Sequence, residues 1–303
     1  MENSIKVVSI VGPTASGKTK LSVELAKHFN GEIVSADSMQ IYSGMQIATA
    51  KPTKAEMDGV PHHMMGFLPP DKPYSVASYV NDASKCIADI HSRGMLPFIV
   101  GGTGLYVDSL LNNISFSDDK RDEEYCLRLR KIGEEDGTDR LLDMLSEFGP
   151  ESAQRLRGGR NIKRIIRAIE FYKTTGKTIT EQIKESHNIP SPYSAVKLGL
   201  NCRDRQVLYD RINRRVDIML DEGLLEEAQR VINSELSYTS VKAIGYKELI
   251  PYFNGSKSLN DCVEKLKMET RRYAKRQITW FKRDTEINWI YIDEYNSFEE
   301  IYS

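Results

Sequence analysis

Ile5-Lys-Val-Val-Ser-Ile-Val-Gly-Pro-Thr-Ala-Ser-Gly-Lys-Thr19 carries two signals in succession. Ile5–Val11 is a short, β-branched apolar run, which predicts a buried strand. Gly12, Pro13, Thr14, Ala15, Ser16, Gly17, Lys18 and Thr19 then satisfy G-x-x-x-x-G-K-[ST] in full. Lys18–Phe29 follows with Leu21, Val23, Leu25, Ala26 and Phe29 at helical spacing. Strand, glycine turn and helix together form a phosphate cradle. The glycines let the backbone curl so that successive N–H groups point at one phosphate, and the helix N-terminus adds partial positive charge. Lys18 is placed to reach the outer phosphate, and the Thr19 hydroxyl to meet Mg²⁺. The pattern specifies two linked phosphates and a metal ion. It specifies neither the molecule that carries them nor the bond that breaks.

Outward from this stretch the strand and helix signals alternate. Glu32–Ser35 predicts a second strand and Leu96–Val100 a third, closed by Gly101-Gly102-Thr103-Gly104. Between them Val76–His91 is amphipathic, with Tyr79, Val80, Ala83, Ile87 and Ile90 on one side. Such alternation implies a parallel sheet covered by helices on both faces. After Ile114 the strand signal disappears. Asp118–Glu147 is highly charged with helical apolar spacing, and Asn161–Tyr172 carries Ile162, Ile165, Ile166 and Ile169 on one side, ending at Thr175-Gly176. Lys184–Ser194, with Pro190 and Pro192, reads as a loop. Val196–Leu200 predicts a return strand, Asp204–Asn233 one long helix, Leu259–Phe281 another, and Trp289–Ile292 a last strand. The expected division is a core of 1–116 with 196–303, interrupted by an all-helical insertion over 117–195.

The 303 residues suffice for one large domain or two smaller ones. A composition of 40% apolar and 28% charged residues excludes disordered, collagen-like and disulfide-dense chains. No apolar run is long enough to span a bilayer, and the N-terminus lacks the pattern of a secretion signal. Cys86, Cys126, Cys202 and Cys262 are far apart with no CxxC pair, so four unrelated thiols in a reducing cytoplasm are expected. The net charge of −1 argues against a generic nucleic-acid binder. That average hides asymmetry: Ser117–Glu147 holds 11 acids against 6 bases, whereas Arg155–Arg167 and Arg271–Arg283 each hold six bases and no acid. Local patches such as these set the field that a polyanion meets.

Asp37 follows the second strand, at the edge where parallel sheets bind ligands. Two readings stand for it: general base, or a turn residue that caps the following N–H groups. A kinase or ATPase usually adds an acid after a later strand to hold Mg²⁺. Here Leu96–Val100 runs into glycines, and the next acid is Asp108.

Further blocks carry a resemblance. They are Ser-Ala-Asp-Ser-Met-Gln-Ile-Tyr at 35–42, Ala-Thr-Ala-Lys-Pro at 48–52, Pro-His-His at 61–63, Gly-Gly-Thr-Gly-Leu-Tyr at 101–106, Arg-Ile-Ile-Arg-Ala-Ile-Glu at 164–170 and Ala-Lys-Arg-Gln-Ile-Thr-Trp-Phe at 274–281. With the phosphate cradle, and in this order, they resemble the tRNA dimethylallyltransferase (tRNA isopentenyltransferase) family in its compact bacterial form. The resemblance implies a P-loop NTPase-like α/β core, a monomer, and transfer of a dimethylallyl group from dimethylallyl diphosphate to N6 of adenosine 37 of tRNA, with Mg²⁺. It implies Asp37 as the base and Thr103 and Arg215 as residues near the diphosphate, with Lys18. Arg211, four residues before Arg215 on the same predicted helix face, either joins it or is a solvated charge.

The anticodon stem-loop is the expected partner. Its expected contacts are Asp37, Ser38, Met39, Gln40, Thr103, Lys163, Arg164, Ile165, Ile166, Arg167, Lys242, Gly245, Tyr246, Arg272, Lys275 and Arg276. Tyr246, Tyr273 and Trp280 are either stacking surfaces for splayed bases or core aromatics. His62 and His63 read as a structural pair. The alternatives are an adenylate dimethylallyltransferase, which needs neither the insertion nor two basic patches, a small-molecule kinase, and an RNA-binding nucleotide switch.

Overall fold

The computed structural model describes residues 4–114, 122–159, 161–187 and 190–302. By its internal contacts the chain divides into two compact units, Met1–Leu111 with Pro192–Ser303, and Asn112–Ser191.

The first unit begins β1 (Ile5–Val11), α1 (Lys18–His28), β2 (Gly31–Ser35), α2 (Lys54–Met57), β3 (His62–His63), α3 (Val76–Ser92), β4 (Leu96–Gly101) and α4 (Gly104–Leu111). The second unit, among its described residues, is entirely helical: α5 (Glu123–Glu135), α6 (Gly137–Ser146), α7 (Pro150–Arg157), α8 (Ile162–Thr175) and α9 (Ile179–His187). The chain then returns to the first unit with β5 (Tyr193–Asn201), α10 (Arg205–Asp221), α11 (Leu224–Ile232), α12 (Ile250–Phe253), α13 (Leu259–Phe281) and β6 (Asn288–Tyr291).

The six strands form one parallel sheet in the order β3-β2-β4-β1-β5-β6. Alternate residues of each strand feed different cores, as the two-residue period requires. Val7, Val11, Val34 and Ile99 pack with Tyr79, Ile87, Ile90 and Leu110 of α3 and α4, and with Phe281 of α13. Ile10, Ile33, Phe98 and Val100 instead meet Leu21 and Ala26 of α1, and the C-terminal residues Phe298, Ile301 and Tyr302. The second unit has its own core, centred on Leu129, Leu141, Leu142, Leu145, Ile165 and Ile169.

Three expectations change. The predicted 184–194 loop contains helix to His187 and strand from Tyr193. Tyr193–Ala195 already pair with Ile5–Val7, which puts them in the sheet. The predicted 204–233 helix is two helices, because Gly223 adopts φ 98° and caps α11. The glycine-rich stretch after β4 passes directly into α4, which its glycines concealed. The 116/117 boundary and the predicted helical residues 118–121 lie outside the described residues.

Candidate active site

A parallel sheet brings every strand's C-terminal end to one edge. Here that edge gathers Gly12 after β1, Asp37 after β2 and Thr103 after β4. β1 lies between β4 and β5, so the phosphate loop leaves the sheet near its centre. Gly12 takes φ 144°, and a Cβ there would lie 2.3 Å from the Leu200 carbonyl oxygen. Only glycine lets the loop turn this close to β5. Gly17, at φ 92°, caps α1 without any side-chain hydrogen bond. The N–H groups of the first helical turn thus keep their capacity for an anion. The Ser16 hydroxyl in the same loop is buried without a partner.

The Lys18 ammonium donates to the carbonyls of Gly12, at 3.0 Å, and Pro13, at 2.7 Å. It lies across its own loop in a recessed position. Burial lowers its pKa to about 8, with Asp37 opposing that shift and Arg215 adding to it. Asp37 Oδ1 accepts the N–H groups of Met39, at 2.8 Å, and Gln40, at 3.3 Å. Burial nevertheless raises its carboxyl above the ordinary aspartate value, against the pull of those two N–H groups and of Lys18 and Arg215. Asp37 thus caps the turn with one oxygen and lies within electrostatic reach of Lys18 and Arg215. Thr103 Oγ1 accepts the Ser38 N–H at 3.0 Å, and the Thr103 N–H donates to the Ala36 carbonyl at 3.1 Å. The loops after β2 and β4 are thereby joined. Gly101 is needed there, since a Cβ would lie 2.2 Å from the Ala36 oxygen.

Helices supply the remaining side chains. Arg215 on α10 is largely buried, with a long contact of 3.5 Å from Nη2 to the Ala50 oxygen. Burial lowers its pKa, opposed by Glu56 and Asp37. Arg211 is exposed and donates from Nε to the Ala15 carbonyl at 2.8 Å, so a solvated side chain also touches the phosphate loop. Tyr273 on α13 lies by Thr103 and Gln277, and burial raises its hydroxyl pKa. Gln277 bridges the phosphate loop and the loop after β4. The spacing that pairs Arg211 with Arg215 does not announce its contact with the phosphate loop, and nothing local announces the two loops that Gln277 joins.

Several expected RNA contacts are buried or engaged within the protein. Ile165 and Ile166 are buried in the second unit's core, on the inward face that their spacing defines. Their side chains are unavailable to RNA. Tyr246 is buried, and its hydroxyl donates to the equally buried Glu227, which makes it a core aromatic. Glu227 also accepts the N–H groups of Gln46, Ile47 and Ala48. The Gln40 amide is engaged internally, donating to the carbonyls of Thr49 and Ala50 and accepting from the Ser35 hydroxyl. The Gly245 N–H donates to Glu248. Trp280 donates its indole N–H to Asp108 at 2.7 Å and packs on Gly104, where a Cβ would lie 2.2 Å from the ring. Asp108 is therefore committed to that indole.

Other expected contacts are exposed. Lys163, Arg164 and Arg167 project from the outer face of α8, and Arg167 pairs with buried Glu170. Lys275 and Arg276 are exposed on α13, with Arg276 over the Tyr273 ring, and Arg272 pairs with Glu269. Lys242 lies over the exposed Tyr238 ring. His63 bonds to buried Glu32, which also takes both Nη atoms of Arg93, and His62 bonds to the Val60 carbonyl. The histidine pair is structural. All four cysteines are free thiols. No helix among the described residues is long and apolar enough to cross a membrane.

A phosphate loop at the centre of a parallel sheet, facing one acid and one hydroxyl from neighbouring strand ends, defines a P-loop α/β protein. The acid that such proteins use for metal-dependent phosphoryl transfer does not follow β4. The pattern of the IPP transferase family matches residues 40–284, and that of isopentenyl transferases matches 5–65. A tRNA dimethylallyltransferase of Caldanaerobacter subterraneus subsp. tengcongensis is 48% identical over 98% of this chain and 95% of its own length. One from Halalkalibacterium halodurans is 48% identical over 94% and 90%. The crystal structure of the full-length tRNA isopentenylpyrophosphate transferase from Bacillus halodurans is similar with a TM-score of 0.72 and 45% identity, over 98% of this chain and 92% of that one. A eukaryotic dimethylallyltransferase acting on tRNA gives 0.80 at 30% identity, over 95% and 74%. The chain belongs to the tRNA dimethylallyltransferase (IPP transferase) family.

Proposed function

We propose that the protein transfers a dimethylallyl group from dimethylallyl diphosphate to N6 of adenosine 37 in tRNA, releasing diphosphate. The observation that carries this reading is the convergence of a phosphate cradle, Asp37 and Thr103 at one sheet edge. The diphosphate lies in the Gly12–Thr19 loop, where backbone N–H groups and Lys18 take up the charge that develops as the C1–O bond breaks. The exocyclic amine is a weak nucleophile, since its lone pair is delocalised into the ring. Its N6–C1 bond forms as the C1–O bond breaks, and Asp37 takes the N6 proton. Arg215 adds positive charge on the leaving-group side. Thr103, fixed by the Ser38 N–H, orients the acceptor.

The Thr19 hydroxyl, at the start of α1 beside the phosphate loop, would hold Mg²⁺ together with diphosphate oxygens and water, and the ion would neutralise diphosphate charge. The free thiols suit a reducing cytoplasm.

The test offers labelled dimethylallyl diphosphate and Mg²⁺ to unmodified tRNA and, in parallel, to AMP. Label at N6 of adenosine 37 is expected. Label in AMP instead would make the protein an adenylate dimethylallyltransferase. Label in neither, from folded protein, would return the cradle to ATP and a kinase or switch.

Arg164 belongs to the RNA-binding side of this reading. It is exposed and makes no ion pair among the described residues. Arg164→Ala is expected to weaken tRNA binding and to reduce the slope of log affinity against log salt by about one. An unchanged slope means that Arg164 does not meet phosphate.

A further inference from the structure

We propose that Gln277 is a positioning residue that sets the spacing between the diphosphate cradle and the acceptor-side loop; this rests on the prenyl-transfer reading above. Its side chain is 5% exposed. Oε1 accepts the Thr14 N–H at 2.9 Å, and Nε2 donates to the Gly102 carbonyl at 3.0 Å. Thr14 lies inside the cradle, and Gly102 immediately precedes Thr103. One planar amide therefore gauges the distance between the loop that holds the leaving group and the loop that orients the acceptor.

The chemistry of the two contacts selects this side chain. One partner is a donor and the other an acceptor, and an amide offers both from one fork whatever the pH. Asparagine is one methylene short. A Cβ at Gly102 would lie 2.0 Å from Nε2, so the bridge also requires glycine at that position. Without the amide, the Thr14 N–H and the Gly102 carbonyl lose their partner in this crevice. Displacement at C1 needs the reacting atoms about 3–3.5 Å apart and aligned, and a misplacement of about 1 Å costs about 10²-fold.

Gln277→Met keeps the length and volume of the side chain and removes both bonds. Two products are counted per turnover: diphosphate released and dimethylallyl group attached to tRNA. With the spacing intact, the ratio is one. With the spacing lost, water competes at C1. Its oxygen bonds to C1 as the C1–O bond breaks, giving dimethylallyl alcohol, diphosphate and a proton. Transfer by Gln277→Met is expected to fall about 10²-fold with the KM for tRNA unchanged, and the ratio is expected to rise above one. Gln277→Leu, which also removes both bonds, is expected to raise the ratio as well, and it serves if the Met variant does not fold. Wild-type transfer in the variants, or a slower reaction with the ratio still at one, overturns the assignment. Absence of transfer by the wild-type enzyme overturns the prenyl-transfer reading instead.

Discussion

Asp37→Asn is expected to lower the rate of prenyl transfer by about 10²–10⁴-fold, the range a well-placed base contributes, with tRNA affinity little changed. Asparagine is the informative replacement. Its Oδ1 still accepts the Met39 and Gln40 N–H groups that Asp37 holds in the native turn. Alanine would remove the base and the cap together, and a slow variant would then have two explanations. The pH dependence separates the roles further. Burial raises the Asp37 carboxyl above its ordinary value. Below that pKa the carboxyl is protonated and accepts nothing from N6. The kcat/KM for tRNA should therefore rise with pH through a limb placed above the usual aspartate range, and Asp37→Asn should lose that limb. A variant with near-native rate, or one that keeps the limb, would leave Asp37 with its capping role alone.

The strand–glycine–helix stretch at 5–19 was legible because all its signals are local: periodicity, a turn pattern and a helix start. β1 and α13 carry the predicted bounds, Ile5–Val11 and Leu259–Phe281. Gly223 was less legible, since the apolar spacing continues across it and only its left-handed φ breaks the helix. The site divides along the same line. Lys18, Asp37 and Thr103 follow strands, and strand ends in a parallel sheet share an edge. Arg211 and Gln277 reach loops that lie 196 and 263 residues away along the chain, and nothing in their neighbours announces such pairings. Ile165 and Ile166 show the opposite error. Helical periodicity placed them inward, whereas the family resemblance assigned the whole block to RNA. For side chains the periodicity prevails, because apolar groups at that spacing gain more from the core than from a charged ligand.

Lys18→Met is expected to lower the kcat/KM for dimethylallyl diphosphate by about 10²–10³-fold, the loss typical of one preorganised group at a developing anion. The native residue also predicts a pH profile. The ammonium must be charged to receive the diphosphate, and burial lowers its pKa to about 8 in the free protein. Above that pH the lysine loses its proton and the cradle loses the charge of that ammonium. The kcat/KM for the diphosphate substrate should fall through an alkaline limb near that value. Bound diphosphate stabilises the charged form, so the corresponding limb in kcat should lie at higher pH. Lys18→Arg tests the assignment apart from the loss of charge. Its guanidinium stays protonated throughout this range, although its planar fork fits a point-charge site poorly. A slower enzyme with no alkaline limb is expected. Should the limb persist in Lys18→Arg, the titrating group is another one, and Lys18 acts through geometry rather than through its proton.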